Sequence, residues 1–263
     1  MSAENSENGC VLFVGAGPGD PDLITLRGLR ELQKADVILY DKLIDERVLE
    51  GLSAERLYVG KENAQYSVPQ EEISLRLVEL AQQGKRVVRL KGGDPSVFGR
   101  LGEEALVVAE QGVPFEIIPG VTSCVAGPVY AGIPVTHRGV ADNFAVVTAH
   151  RSSDTTTFSI PPYNKKNTVV LMMSLFSVAA WQSQMLDMEY PATLPVALIA
   201  RAASAAQRVL VTCLGEVVEA VAEAQLESPT LAVVGHVVTL REKLDWFDPA
   251  VMSSVEEGRG THE

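Results

Sequence analysis

The sequence predicts an α/β protein made of two α/β domains. Three observations carry this. From residue 10 to about 135, short apolar runs alternate with segments of helical spacing, the rhythm of a mainly parallel sheet with right-handed crossovers. Glycine-rich turns follow several of the apolar runs. The texture then shifts near residues 136–142, which puts a boundary there, with a first domain over 10–138 and a second over 139–247. Residues 1–9 are polar, with no apolar signal segment, and are expected to be disordered; 248–263 reads as a loose tail.

Taken in order, residues 10–14 form a continuous apolar strand of the kind buried on both faces. A turn, Gly15 to Pro21, leads into helical spacing over 22–34, with Leu23, Leu26, Leu29 and Leu32 on one side. Strand 36–40 places Asp41 and Lys42 at its carboxyl end, and a short helix (46–52) and a strand (56–59) follow. Residues 69–83 read as a helix, with Pro69 at its first turn and Gln70, Glu71 and Glu72 at its dipole-positive end. Next comes the central stretch. Val87, Val88 and Leu90 make a strand, Gly92 and Gly93 permit a tight turn, and a helix follows with Arg100 and Glu103 three apart. Strand 115–118 and a helix of small residues (124–131) close the first domain. In the second, strands are expected at 144–148, 169–173, 194–200 and 208–212, with helices over 175–188 and up to about 225. The short apolar runs 231–234 and 237–238 read as the last sheet elements.

The chain has 263 residues, 46% of them hydrophobic, enough to bury roughly three quarters of its unfolded surface. A net charge of −12 argues against nucleic acid or an anionic membrane as partner. Cys10, Cys124 and Cys213 are far apart and lack C-x-x-C spacing, so neither a metal site nor a disulfide framework is expected. No run approaches the ~18 apolar residues of a membrane span. A soluble, cytoplasmic protein is expected.

In an open α/β sheet, ligands bind outside the carboxyl ends of the strands. Gly15-x-Gly17-x-x-Asp20 nearly matches a dinucleotide fingerprint, and an acid follows at Asp41. An NAD(P)-dependent oxidoreductase is therefore an alternative reading. Two details oppose it. Asp20 puts negative charge where a pyrophosphate would sit, and Pro18 and Pro21 stiffen the turn. A loop rich in Gly and Asp and poor in cations suits a cation-bearing, phosphate-free ligand, and S-adenosyl-L-methionine is one.

The motifs Val14-Gly15-Ala16-Gly17-Pro18-Gly19-Asp20-Pro21, Tyr40-Asp41-Lys42-Leu43, Val59-Gly60-Lys61, Ser67-Val68-Pro69-Gln70, Lys91-Gly92-Gly93-Asp94-Pro95, Pro119-Gly120-Val121-Thr122-Ser123 and Thr136-His137-Arg138 occur in that order. Together they resemble the tetrapyrrole methylase family, and within it the members that methylate uroporphyrinogen III at carbon. The likeness covers about residues 10–247. It implies the class III methyltransferase fold, with a cofactor cleft between the two α/β domains, in a homodimer. It implies S-adenosyl-L-methionine as cofactor, leaving as S-adenosyl-L-homocysteine, held by Pro18, Gly92, Gly93, Asp94, Val97, Thr122, Ser123, Met173 and Ala202. It implies methylation of uroporphyrinogen III at carbons 2 and 7 to precorrin-2, for the siroheme or cobalamin pathway. Asp41 would accept a proton and Lys61 donate one, while Arg100 and Glu103 serve substrate binding and proton removal. Lys42, Arg100 and Arg138 would grip the substrate's carboxylates. A methylase of a later corrinoid intermediate is the alternative within the family.

Simpler roles fit the same residues. Asp41 suits a cap, Arg100 and Glu103 a solvated pair, Lys61 and Arg138 surface charges, and Met173 a core position. Departures from the family pattern fall at Lys42, at Glu62 to Tyr66, at Ser174 and at Ala200 to Ala203.

Overall fold

A computed structural model describes residues 9–60, 68–150 and 157–250. The expected disorder of residues 1–9 and the loose tail therefore fall almost wholly outside the described residues, as do Lys61 and the Glu62 to Tyr66 run.

By contact the chain separates into two compact units, one ending at Thr122 and one starting at Ser123. The first contains β1 (Cys10–Gly15), α1 (Leu26–Leu32), β2 (Val37–Tyr40), β3 (Glu55–Tyr58), α2 (Gln70–Gln82), β4 (Arg86–Lys91), α3 (Leu101–Glu110) and β5 (Phe115–Ile118). Its five-stranded sheet has the order β3-β2-β4-β1-β5, and every pairing is parallel. Strand alternation sorts the core. Val11, Phe13, Val37, Leu39 and Val87 face α2 and α3, against Leu77, Leu80, Leu101 and Val108. Leu12, Val14, Ile38, Val88 and Leu90 face the other way, against Leu32, Val48 and Leu49.

The first helix begins later than its apolar spacing predicts. Asp20 accepts the Asp22 N–H at 2.9 Å and starts a separate 3-10 turn, Pro21–Leu23. The Thr25 hydroxyl then caps α1 by accepting the Gly28 N–H at 3.0 Å.

The second unit contains α4 (Ser123–Tyr130), β6 (Asn143–Thr148), β7 (Asn167–Met172), α5 (Val178–Asp187), β8 (Pro195–Ala200), β9 (Arg208–Cys213), α6 (Val217–Ala224), β10 (Thr230–Val234) and α7 (Arg241–Leu244). Its sheet, ordered β6-β7-β10-β8-β9, is mixed. Only β6 and β7 pair in parallel; β7 with β10, β10 with β8 and β8 with β9 are antiparallel. Trp181 and Met185 of α5 fill its core beside Leu171, Val196 and Leu198. Val237 and Val238 are buried, but they lie in a 3-10 turn, His236–Leu240, rather than in the sheet. Two apolar residues are too few for periodicity to separate the two states.

The unit boundary falls before α4, upstream of the texture change near 138, because α4 lies on β10. A methyl group added at Gly127 would come within 2.7 Å of Leu231 Cδ2.

Candidate functional site

In the first unit the exits of three neighbouring strands, β4, β1 and β5, meet main chain to main chain. A Cβ at Gly120 would stand 2.2 Å from the Gly93 carbonyl oxygen, and one at Gly15 would stand 2.6 Å from Gly120 Cα. Only glycine fits this junction. Gly93, at φ +65°, donates its N–H to the Gly17 carbonyl at 2.7 Å, and Gly17 returns an N–H to the Gly93 carbonyl at 3.2 Å. Pro18 follows directly and is partly exposed. The structure thus gathers Pro18, Gly92, Gly93, Asp94 and the run leading to Thr122 at the carboxyl edge of one sheet, where an open α/β sheet takes its ligand.

Asp94 ties the junction together. Its Oδ2 accepts the Gly120 N–H at 3.0 Å, and its Oδ1 accepts from the Ser96 N–H at 2.8 Å and the Ser96 hydroxyl at 2.5 Å. Partial burial opposes its ionisation, but these hydrogen bonds outweigh burial and hold the carboxyl below the usual aspartate range. Val97, half-buried, adds an apolar wall. Across residues 15–25, 92–97 and 119–122 the charged residues are Asp20, Asp22 and Asp94, with no lysine or arginine. That field suits a cationic ligand and repels a phosphate. The dinucleotide alternative also loses its helix: Asp20 is spent on the 3-10 turn, and α1 starts only at Leu26.

Beyond the junction, Phe98 (φ +53°) and Arg100 (φ +58°) take the left-handed conformation on either side of Gly99. Non-glycine residues held this way are strained, and such strain concentrates at functional sites. The Arg100 fork closes on Glu103, with Nε to Oε1 at 3.0 Å and an outer nitrogen to Oε2 at 2.6 Å. This bond holds the Glu103 carboxyl below its usual range. Both side chains are more than half exposed, so opening the pair to admit another carboxylate costs little.

Asp41 stands just past β2, and its turn lies over the glycines: a Cβ at Gly92 would come within 3.1 Å of Leu43 Cβ. Both of its carboxylate oxygens are engaged. Oδ1 accepts the Leu43 N–H at 3.1 Å, and Oδ2 accepts from Arg89 at 3.2 Å. Lys42 beside it is exposed.

Arg89 leads to a buried cluster whose members were given no site role by the sequence. Arg89 and Lys91 project from β4 on the face of Val87, toward α2 and α3. Lys91 Nζ donates to Glu104 Oε1 at 2.8 Å, and Gln70 Nε2 donates to the same oxygen at 2.7 Å. Arg89 Nε is 3.4 Å from Glu104 Oε2. Arg89, Lys91 and Glu104 are all buried, Glu104 at 0% exposure. Burial, reinforced by the like charge of Arg89, pushes the Lys91 ammonium below the usual lysine range despite Glu104. The helix phase of α3 carried the signal: its buried positions are Leu101, Glu104 and Val108, spaced three and then four apart.

The second unit holds the remaining predicted residues. Ser123 opens α4. Met173 lies one residue past β7, at φ +56° and 45% exposed, so it is not the core residue its strand pattern allows. Ala202 is buried in a turn flanked by Arg201 and Ala203, both at positive φ. Gln207 pins that turn: it accepts the Ala203 N–H at 2.8 Å and donates to the Tyr130 carbonyl at 2.9 Å. Arg138 is exposed, and its carbonyl bonds the His137 ring at 2.9 Å. Lys61 lies outside the described residues. Among the described residues no helix is long and apolar enough to cross a membrane, and no group of three His, Cys, Asp or Glu is placed to hold a metal.

Residues 11–218 match the family described as Tetrapyrrole (Corrin/Porphyrin) Methylases. The fold is similar to the crystal structure of uroporphyrin-III-C-methyltransferase from Thermus thermophilus, with a TM-score of 0.77 and 40% identity over 91% of this chain and 98% of that one. A second structure of the Thermus enzyme, complexed with S-adenosyl homocysteine, gives a TM-score of 0.75 and 38% identity over 88% of this chain and 93% of that one. Among curated sequences, siroheme synthase of Pseudomonas fluorescens is 45% identical over 245 residues, 92% of this chain. The chain spans about half the length of the curated relatives it matches, 53% in that case.

Proposed function

The chain belongs to the tetrapyrrole (corrin/porphyrin) methylase family, and on that premise we propose that it methylates uroporphyrinogen III at carbons 2 and 7, giving precorrin-2 for siroheme or cobalamin synthesis. The observation that carries this reading is the all-acidic glycine junction at the carboxyl edge of the first sheet, with Asp41 over one side of it. When bound, S-adenosyl-L-methionine supplies a methyl group on a positively charged sulfur and leaves as S-adenosyl-L-homocysteine.

The chain's own residues do the rest. Asp94 and the Gly15 to Asp22 loop attract the cation. Gly92 and Gly93, lacking side chains, admit the ligand close to the backbone, and Val97 offers apolar contact. Arg100, Lys42 and Arg138 bind carboxylates of the macrocycle, and Arg100 exchanges Glu103 for a substrate carboxylate. A reduced pyrrole carbon is itself the nucleophile, so orientation and one proton transfer remain. Each methyl gained by carbon releases one proton. Asp41 accepts it, its carboxylate being partly exposed and held at both oxygens. Glu103 is the second candidate base, since it is freed when Arg100 turns to substrate. We read the enzyme as a cytoplasmic homodimer, which the family resemblance supports.

The test is anaerobic incubation with uroporphyrinogen III and S-adenosyl-L-methionine. Two added methyl groups by mass are expected. An unchanged tetrapyrrole, with S-adenosyl-L-homocysteine bound, would overturn the assignment of substrate while leaving the cofactor in place.

A further inference from the structure

We propose that Arg89 is a positioning residue for methyl transfer: from inside the protein it fixes the carboxylate of Asp41. The inference rests on the role given to Asp41 above.

Arg89 is 4% exposed, and its neighbours define its plane. One terminal nitrogen donates to the Leu90 carbonyl at 3.0 Å and reaches the Leu39 carbonyl at 3.5 Å. The other donates to Asp41 Oδ2. With the Leu43 N–H on Oδ1, the Asp41 carboxylate is clamped at both oxygens, one bond from its own turn and one from β4. The side chain cannot rotate without breaking one of them.

Stability alone does not account for this arginine. A buried ion pair is often no better than apolar residues of similar volume. Here the geometry is costly as well. Arg89 Nε and Glu104 Oε2 are both buried, and neither finds a hydrogen-bond partner, though they lie 3.4 Å apart. Unsatisfied buried polar atoms are rare in folded proteins and call for an explanation. The arrangement makes sense if the guanidinium is placed for Asp41 first and for Glu104 second. Glu104, already holding Lys91 and Gln70, then supplies the countercharge that keeps a cation under the β2 exit. Arg89 touches the acceptor carboxylate, not the macrocycle, so its influence on the reaction passes through Asp41.

A double-mutant cycle tests this. kcat, both KM values and S-adenosyl-L-homocysteine affinity are measured for wild type, Asp41→Asn, Arg89→Met and the double variant. Asp41→Asn should lower kcat by about 100-fold or more. Arg89→Met should cost on the order of 100-fold in kcat, with both KM values and the S-adenosyl-L-homocysteine affinity within about twofold of wild type. In the Asp41→Asn background, Arg89→Met should cost less than about twofold. Arg89→Lys, which keeps the charge on a single donor nitrogen, should recover part of the loss, and it carries the same cycle should Arg89→Met fail to bind S-adenosyl-L-homocysteine. A wild-type kcat in Arg89→Met, or an equal loss in both backgrounds, would overturn the proposal and leave Asp41 as proton acceptor. A wild-type kcat in Asp41→Asn would instead remove Asp41 from the chemistry, and Arg89 with it.

Discussion

Glu103 and Glu104 are adjacent in the chain and opposite in circumstance. The Glu103 side chain is 58% exposed and forks onto an equally open arginine. Glu104 is sealed, with a lysine, an amide and an arginine around it. One step along α3 turns a carboxylate through about 100°, enough to move it from solvent into the space behind the sheet. The outer pair can part and re-form at little cost. The inner cluster cannot change one member without leaving a charge uncompensated. A site that must grip and release a polyanion needs the first kind of contact at its rim. One that must hold a carboxylate still needs the second kind underneath.

Substitutions along α3 test that contrast. Glu104→Ala should destabilise the fold by about 3–5 kcal/mol, measured by urea unfolding, because Lys91 and Arg89 stay buried with less countercharge. Glu103→Ala should change the same measurement by less than about 1 kcal/mol. Similar losses for the two would erase the distinction. Arg100→Ala should weaken tetrapyrrole binding at least about tenfold, or about 1.4 kcal/mol, with S-adenosyl-L-homocysteine binding held within about twofold. Equal losses in the two titrations would move Arg100 out of the substrate's reach.

Removing both Lys91 and Glu104, in Lys91→Met with Glu104→Met, should cost only about 1 kcal/mol, since the buried cation that remains, Arg89, keeps Asp41 as its countercharge. A double variant as unstable as Glu104→Ala would mean that the cluster stabilises through packing rather than charge balance. The smallest effect is expected at Asp94, which is half-buried and lies between the two extremes. Its carboxyl is held below the usual range, so its ionised form supports the fold in full above about pH 4, and that support is lost as pH falls through the lowered native value. Asp94→Asn should therefore be less stable than wild type at pH 7, with the gap closing in acid. A gap constant from pH 7 to pH 3 would show that hydrogen-bond geometry, rather than charge, is what Asp94 provides.

Much of the first unit was readable without coordinates. The continuous apolar run of β1 and the Val87, Val88 and Leu90 of β4, each followed by a glycine-rich turn, mark central strands and their loops, and Asp94 follows from the second turn. Arg89 and Lys91 were not readable as site residues, because charged residues in a strand usually mark a solvated face. The sheet's order pairs both edges of β4, but only the two core clusters, one holding Val87 and the other Val88 and Leu90, show that both of its faces are covered. Glu104 was legible in principle from the spacing of Leu101 and Val108, but an acidic dipeptide at a helix start reads first as dipole compensation. The second unit was harder. Its strands are as apolar as those of the first, and nothing in an apolar run says whether its neighbour runs parallel or antiparallel. Met173 was named through the family resemblance, but its left-handed, exposed conformation was not legible, because a strand pattern gives no sign of where a left-handed residue ends it.

The bare contact among Gly15, Gly93 and Gly120 sets a limit on how such a chain can diverge. Where backbones abut, spacing is governed by bond lengths and hydrogen bonds, which scarcely vary from one protein to the next. No conservative exchange is open there: at Gly15 and Gly120 the smallest addition collides with a neighbouring peptide, and Gly93 holds a positive φ. New substrate preferences must then be written around that fixed floor, in the turns bearing Leu43, Phe98 and Arg100.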